Sequence, residues 1–176
     1  MNQDIPRYFI GIGLPSPWQE NLNKIKRSYH PQHRLTSPVH ITLKPPFWYP
    51  DNNTQSLTAQ LAKWGARRRP FEVNLEHVGS FKKRDYGVVF LQPKKGDSLK
   101  RLDYTLDEEV KFLPKNKQFV PHLTLAQRVR KDELGKVKKE IRKLNLKLEF
   151  EVNKITLYIL QKGESWKEFK EFALKG

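Results

Sequence analysis

Cysteine is absent from the 176 residues, which excludes disulfides, thiol nucleophiles and cysteine-ligated zinc or iron–sulfur sites. No apolar run approaches the roughly 18 residues of a membrane-spanning helix. The apolar stretch Tyr8 to Leu14 is too short for the core of a signal peptide. These shortages lead us to expect a cytoplasmic protein with no membrane partner. No Pro/Gly/Ser-rich linker divides the chain, so one domain over residues 1–176 is expected. The zinc-binding His-Glu-x-x-His pattern, a Walker-type glycine loop and the lysine motif of ATP-dependent nucleotidyl ligases are all missing. Acidic residues are scarce too: 19 Asp and Glu face 34 Lys and Arg, a net charge of +15.

A pI near 10.0 favours a polyanionic partner such as nucleic acid or phosphate. The excess is shared almost evenly by the two halves of the chain, so it is no basic tail on a neutral body. Single clusters such as Arg67-Arg68-Arg69 or Lys82-Lys83-Arg84 read as solvated surface, and their sum makes a positive field. Four Trp, six Tyr and ten Phe supply material for a real core.

The β-rich run Arg7 to Leu14 predicts a strand ending at Pro15. Ser16-Pro17-Trp18 predicts a helix start, with Ser16 as N-cap and Pro17 as first helical residue. Trp18, Leu22, Ile25 and Tyr29 share one face of that helix. His30 to Pro38 reads as a loop, and Val39 to Leu43 as a short strand closed by Pro45-Pro46. Further helices are expected around Leu57 to Trp64, over Asp97 to Phe112 and over Asp132 to Leu144. Strands are expected over Phe71 to Val78, Val88 to Leu91 and Phe119 to Leu125. Leu146 to Leu160 is strand-rich, with Trp166 to Leu174 pairing to it. Several strands follow one another directly, which predicts an α+β fold with mostly antiparallel sheet.

Two segments in this pattern match. Pro38-Val39-His40-Ile41-Thr42-Leu43 and Val120-Pro121-His122-Leu123-Thr124-Leu125 both read His–aliphatic–Thr–Leu. Alternation along a strand puts His40 with Thr42 on one face and His122 with Thr124 on another, with the aliphatic residues turned to the core. One His-x-Thr is usually accidental. Here two of only five histidines stand in matching tetrapeptides, and His30, His33 and His77, which have no twin, read as ordinary loop or surface residues. Brought face to face, the two motifs supply what metal-free phosphodiester cleavage requires. One neutral imidazole takes a proton and one imidazolium gives a proton. Threonine hydroxyls donate to the phosphate oxygens where charge builds. By strand parity Lys44 shares the His40 face, where it reads equally as a phosphate contact or as a surface lysine.

On these motifs the sequence resembles the two-histidine (2H) phosphoesterases, the superfamily of 2′-5′ RNA ligase-like proteins and RNA 2′,3′-cyclic phosphodiesterases. The resemblance extends to Val78-Gly79-Ser80-Phe81 and to the tail from Ile155 to Tyr158 and Trp166 to Leu174. It implies two pseudo-symmetric lobes of antiparallel sheet with outer helices and an active-site cleft between them. It also implies His40 and His122 as the acid–base pair, in roles that depend on substrate and direction, with Thr42 and Thr124 binding phosphate. Many members carry Arg after the Ala that follows the second motif; here Gln127 stands there and Arg128 comes one later, on the His122 face if the strand has no bulge. Lys44, Phe81, Arg128 and Tyr158 are the candidate substrate contacts.

The expected activity is metal-independent hydrolysis of RNA 2′,3′-cyclic phosphate ends, with reversible joining of 2′-5′ linkages. No cofactor and no metal are expected. The expected partner is RNA or a nucleotide bearing a cyclic phosphate, and the expected state is a monomer. Two other readings stand beside it: a module that binds RNA or a nucleotide without turnover, and a phosphoesterase of small cyclic nucleotides.

Overall fold

The structure, a computed structural model, describes residues 5–29, 37–50 and 54–176. His30 and His33, and the loop reading of residues 30–36, lie outside them. Along the chain come β1 (Arg7–Gly13), α1 (Trp18–Ser28), β2 (His40–Phe47), α2 (Thr54–Gly65), β3 (Phe71–Lys82) and β4 (Gly87–Pro93). Then follow α3 (Asp97–Glu109), β5 (Leu123–Val129), α4 (Leu134–Lys143), β6 (Leu148–Val152), β7 (Lys154–Leu160) and β8 (Lys167–Ala173).

The strands form one eight-stranded sheet in the order β6-β3-β4-β5-β2-β1-β7-β8. Neighbours are antiparallel throughout, so the α+β expectation holds. The order splits into two sets of four, each built from its own hairpins. They meet where β2 and β5 pair through Ile41 and Leu123. Helices cross this seam: α3 packs on β2 and α1 on β5. Ile10, Ile41, Leu43, Leu57, Leu61, Leu106, Leu123, Leu125 and Ile141 are fully buried in one continuous core, the main source of stability for a fold of this size.

Three expectations change. The N-cap of α1 is Pro17, with no side-chain cap; Ser16 instead donates to Glu20 in the first turn, at 3.3 Å. Pro45 and Pro46 do not end β2 but lie inside it. They are tolerated because the ladder to β5 involves Ile41 and does not extend to them, so neither missing N–H costs a bond there. The last predicted strand before α4 begins at Leu123, leaving His122 immediately ahead of it.

Both motif strands are bulged. Between Gly11↔Thr42 and Ile10↔Lys44, β1 advances one residue while β2 advances two. Between Phe90↔Thr124 and Val89↔Ala126, β4 advances one while β5 advances two. The burial sequence from His40 to Phe47 is repeated, position by position, from His122 to Val129. In each copy the extra residue reverses which face the following side chains take.

Candidate active site

His40 opens β2 and His122 precedes β5, and the two rings are held alike. His40 Nδ1 lies 2.7 Å from the carbonyl of Pro38, and His122 Nδ1 lies 2.7 Å from the carbonyl of Val120. A carbonyl only accepts, so each Nδ1 carries a proton and donates it, leaving Nε2 as the basic atom of the neutral ring. His40 Nε2 is 3.0 Å from Thr42 Oγ1, so the two side chains share a face and, with Nδ1 protonated, the hydroxyl donates to the ring.

Aromatic rings back both imidazoles. His40 stacks on Phe9 at 4.5 Å between centroids, and Phe9 stacks on Tyr158 at 4.3 Å. His122 meets Phe90 at 5.0 Å and the edge of Phe81 at 5.1 Å. Two glycines allow these approaches. A Cβ on Gly11 would lie 3.2 Å from His40 Cδ2, and a Cβ on Gly79 would collide with the Phe90 ring.

Burial pushes the His40 imidazole down to about 3, helped by the positive field of Lys26, with the Pro38 carbonyl opposing and His122 adding a smaller push. Burial also lowers His122, opposed by the Val120 carbonyl and assisted by Lys83. Both rings therefore rest neutral at pH 7.

His40, Thr42 and Thr124 line one cavity of about 230 Å³ at the seam. His122 is not in its wall, yet it is close enough for its charge to act on His40. Phe81 supports the His122 ring. The other candidate contacts are placed differently. Lys44 is fully buried on the helix side, paired with Asp103 at 2.5 Å and Asp107 at 2.6 Å of α3. The bulge after Thr42 turned it away from the His40 face. Arg128 has a positive φ of 55° and is exposed outside the cavity; the irregular β5 ladder defeats simple parity. Gln127 lines the cavity in its stead. Tyr158 is fully buried behind Phe9 and His40, where it is shut off from substrate and burial raises its phenol above the usual range. His77 is exposed, as expected.

Phe9, Lys26, Ser37 and Trp166, none of them a candidate from the sequence, complete much of the wall. For Lys26 a signal existed: it lies four residues after Leu22, on the buried side of α1. Trp166, just ahead of β8, meets Phe9 edge-on at 4.7 Å.

Among the described residues no cluster of His, Cys, Asp and Glu could hold a metal ion, and no helix is long and apolar enough to cross a membrane. The sequence model of the 2′-5′ RNA ligase superfamily matches residues 14–164. A candidate phosphoesterase of Bacillus cytotoxicus is 26% identical over 156 residues, covering 89% of this chain and 90% of that protein. One of Oceanobacillus iheyensis is 26% identical over 171 residues, covering 96% and 98%. Among solved structures, E. coli LigT complexed with 3′-AMP is similar at a TM-score of 0.68 and 19% identity, over 97% of this chain and 98% of LigT. A protein of Thermus thermophilus is similar at a TM-score of 0.66 and 21% identity, over 97% and 98%.

Proposed function

We propose, since this chain belongs to the 2′-5′ RNA ligase superfamily, that it is a phosphoesterase opening 2′,3′-cyclic phosphates at RNA ends. The observation that carries the reading is the pair of identically held histidines. Each has Nδ1 fixed by the carbonyl two residues before it, which makes Nε2 the basic atom of the neutral ring.

In ring opening, the neutral imidazole takes a proton from water as the water oxygen bonds to phosphorus. The bond from phosphorus to one ribose oxygen breaks, and that oxygen takes a proton from the other, protonated imidazole. Thr42 and Thr124 donate to the non-bridging oxygens. Burial first, and then the Lys26 field, hold His40 in its neutral form, the form a base needs, and His122 takes the part of the acid. With the 5′-hydroxyl of a second ribose in place of water, the same opening breaks the bond from phosphorus to the 3′-oxygen and gives a joined 2′-5′ linkage; in the reverse, cyclising direction the two imidazoles exchange roles. The net charge of +15 supports an RNA over a small ester, because each neutralised phosphate releases counterions. LigT complexed with 3′-AMP supports a nucleotide in the same fold.

The test is incubation, without added metal, of an oligonucleotide ending in a 2′,3′-cyclic phosphate, followed by mapping of 2′- against 3′-phosphate. Opening to a single isomer is expected. No turnover of this substrate, with a nucleoside cyclic phosphate turned over well, would transfer the reading to small esters.

A further inference from the structure

Two lysines of this fold are buried, and they are treated differently. Lys44 is neutralised by two aspartates. Lys26 is 3% exposed, and among the described residues its ammonium finds only neutral acceptors, the Ser37 carbonyl at 3.0 Å and the Ser37 hydroxyl at 3.3 Å. No carboxylate among the described residues pairs with it. It also lines the cavity that holds His40, Thr42 and Thr124. A buried charge without a counter-ion is costly. A tie between α1 and Ser37 needs only a hydrogen-bond donor, which a neutral side chain would supply more cheaply. What the charge adds is attraction for an anion in the cavity.

We infer that Lys26 is an anion-binding residue of the cleft, holding a phosphate oxygen of the substrate and, more strongly, of the ring-opened product. The inference rests on the phosphate-binding reading given above. The preference for product follows from charge: a phosphomonoester is close to a dianion at neutral pH, whereas the cyclic diester carries one charge. The serine contacts hold the ammonium in place before any ligand arrives, so little ordering is needed on binding.

Ionisation supplies a signature that a structural strut would lack. Burial brings Lys26 down to about 8, so it loses its charge within a window where its neighbours do not change. His40 and His122 are already neutral there, and the Tyr158 phenol is raised above its ordinary range.

The probe is sulfate, a dianion throughout that window. Its affinity is measured by calorimetry at pH 7 and pH 9, while the imidazole resonances of His40 and His122 report where it sits. Wild-type protein is expected to bind sulfate at the two histidines, and more weakly at pH 9. Lys26→Arg, which keeps its charge, should bind at both pH values alike. Lys26→Met should bind at least about tenfold more weakly at pH 7, the scale of one charge-assisted hydrogen bond. Equal binding by Lys26→Met, or the same pH dependence in Lys26→Arg as in wild type, overturns this inference and leaves the phosphoesterase reading intact. Histidine resonances of the wild type that stay unmoved by sulfate overturn this inference and also remove the phosphate site on which that reading depends. Lys26→Arg and the wild-type pH dependence decide the matter even if Lys26→Met fails to fold.

Discussion

Ile41 and Leu123, the middle residues of the two His–aliphatic–Thr triplets, stand opposite each other across the β2–β5 seam. Among the described residues they form the one register pair between those strands. Both are fully buried, so the apolar members of the triplets join the two halves of the sheet while the polar members on either side are turned the other way. The joint of the fold and the candidate chemistry therefore occupy the same six residues.

Replacing either histidine tests the acid–base pairing. General acids and bases each supply about 10²–10⁴ in rate. His40→Ala and His122→Ala should each lower kcat on the oligonucleotide by at least about 10²-fold, with melting temperatures close to wild type. The double variant should lose far less than the product of the two, because the residues act as one unit. Thr42→Val and Thr124→Val should cost less than either histidine. A folded His40→Ala protein with near-full activity would sink the mechanism.

The rate against pH follows from the lowered imidazoles. Burial favours the uncharged rings, so the protonated acid becomes rare at lower pH than for imidazole in water. A bell-shaped kcat/KM should descend on its alkaline side from below the ordinary 6.5. The kcat profile should lie at higher pH, since bound phosphate favours imidazolium. The two limbs belong to the coupled pair rather than to one ring each.

The same shift bears on folding. The unfolded chain protonates His40 near 6.5, whereas the folded protein resists protonation down to about 3. Its contribution is complete above pH 6.5 and is lost as pH falls through that interval. Thermal melts should show His40→Asn losing less stability than wild type on acidification from pH 7 to pH 4. Parallel losses would contradict a His40 ring held neutral by the fold.

Lys44 separates a structural lysine from a phosphate ligand. Lys44→Ala leaves Asp103 and Asp107 unpaired and should destabilise by about 3–5 kcal/mol, as for other broken buried pairs. The molecules that remain folded, checked by active-site titration, should keep near-normal KM. A raised KM at unchanged stability would return Lys44 to the cleft.

Activity should persist in EDTA, because the proposed proton transfers belong to imidazoles. Loss on chelation with recovery on adding a divalent ion would place the protein in another mechanistic class.

Much of this was legible in the sequence. Helix α1 announced itself through Trp18, Leu22 and Ile25, and the paired triplets singled out His40, Thr42, His122 and Thr124 before any geometry. What failed has a common cause. Lys44 and Arg128 were placed by counting alternate residues, and each lies beyond a bulge, where the count changes sense. A bulge leaves no mark in a single sequence when the added residue is an ordinary leucine, as at Leu43 or Leu125. Pro45 and Pro46 misled for a related reason: a proline ends a strand only where its missing N–H has a partner to lose. Lys26 was visible on the apolar side of its helix, but a lysine there reads as an aliphatic stem until the cavity beside it is seen.

The wall of the cavity is lopsided. Phe9, His40, Thr42, Pro46 and Trp166 come from the half of the sheet that holds β1 and β2 or from its connections, against Thr124 and Gln127 from β5, while Lys26 stands on α1, which packs on β5. A two-fold grip of matching triplets is blind to direction, since a ligand and its reversed image meet the same groups. The unequal walls remove that ambiguity. They give the seam a polarity, with an aromatic side and a side of neutral hydrogen-bonding groups. A ligand whose two ends are chemically distinct meets different walls in its two orientations.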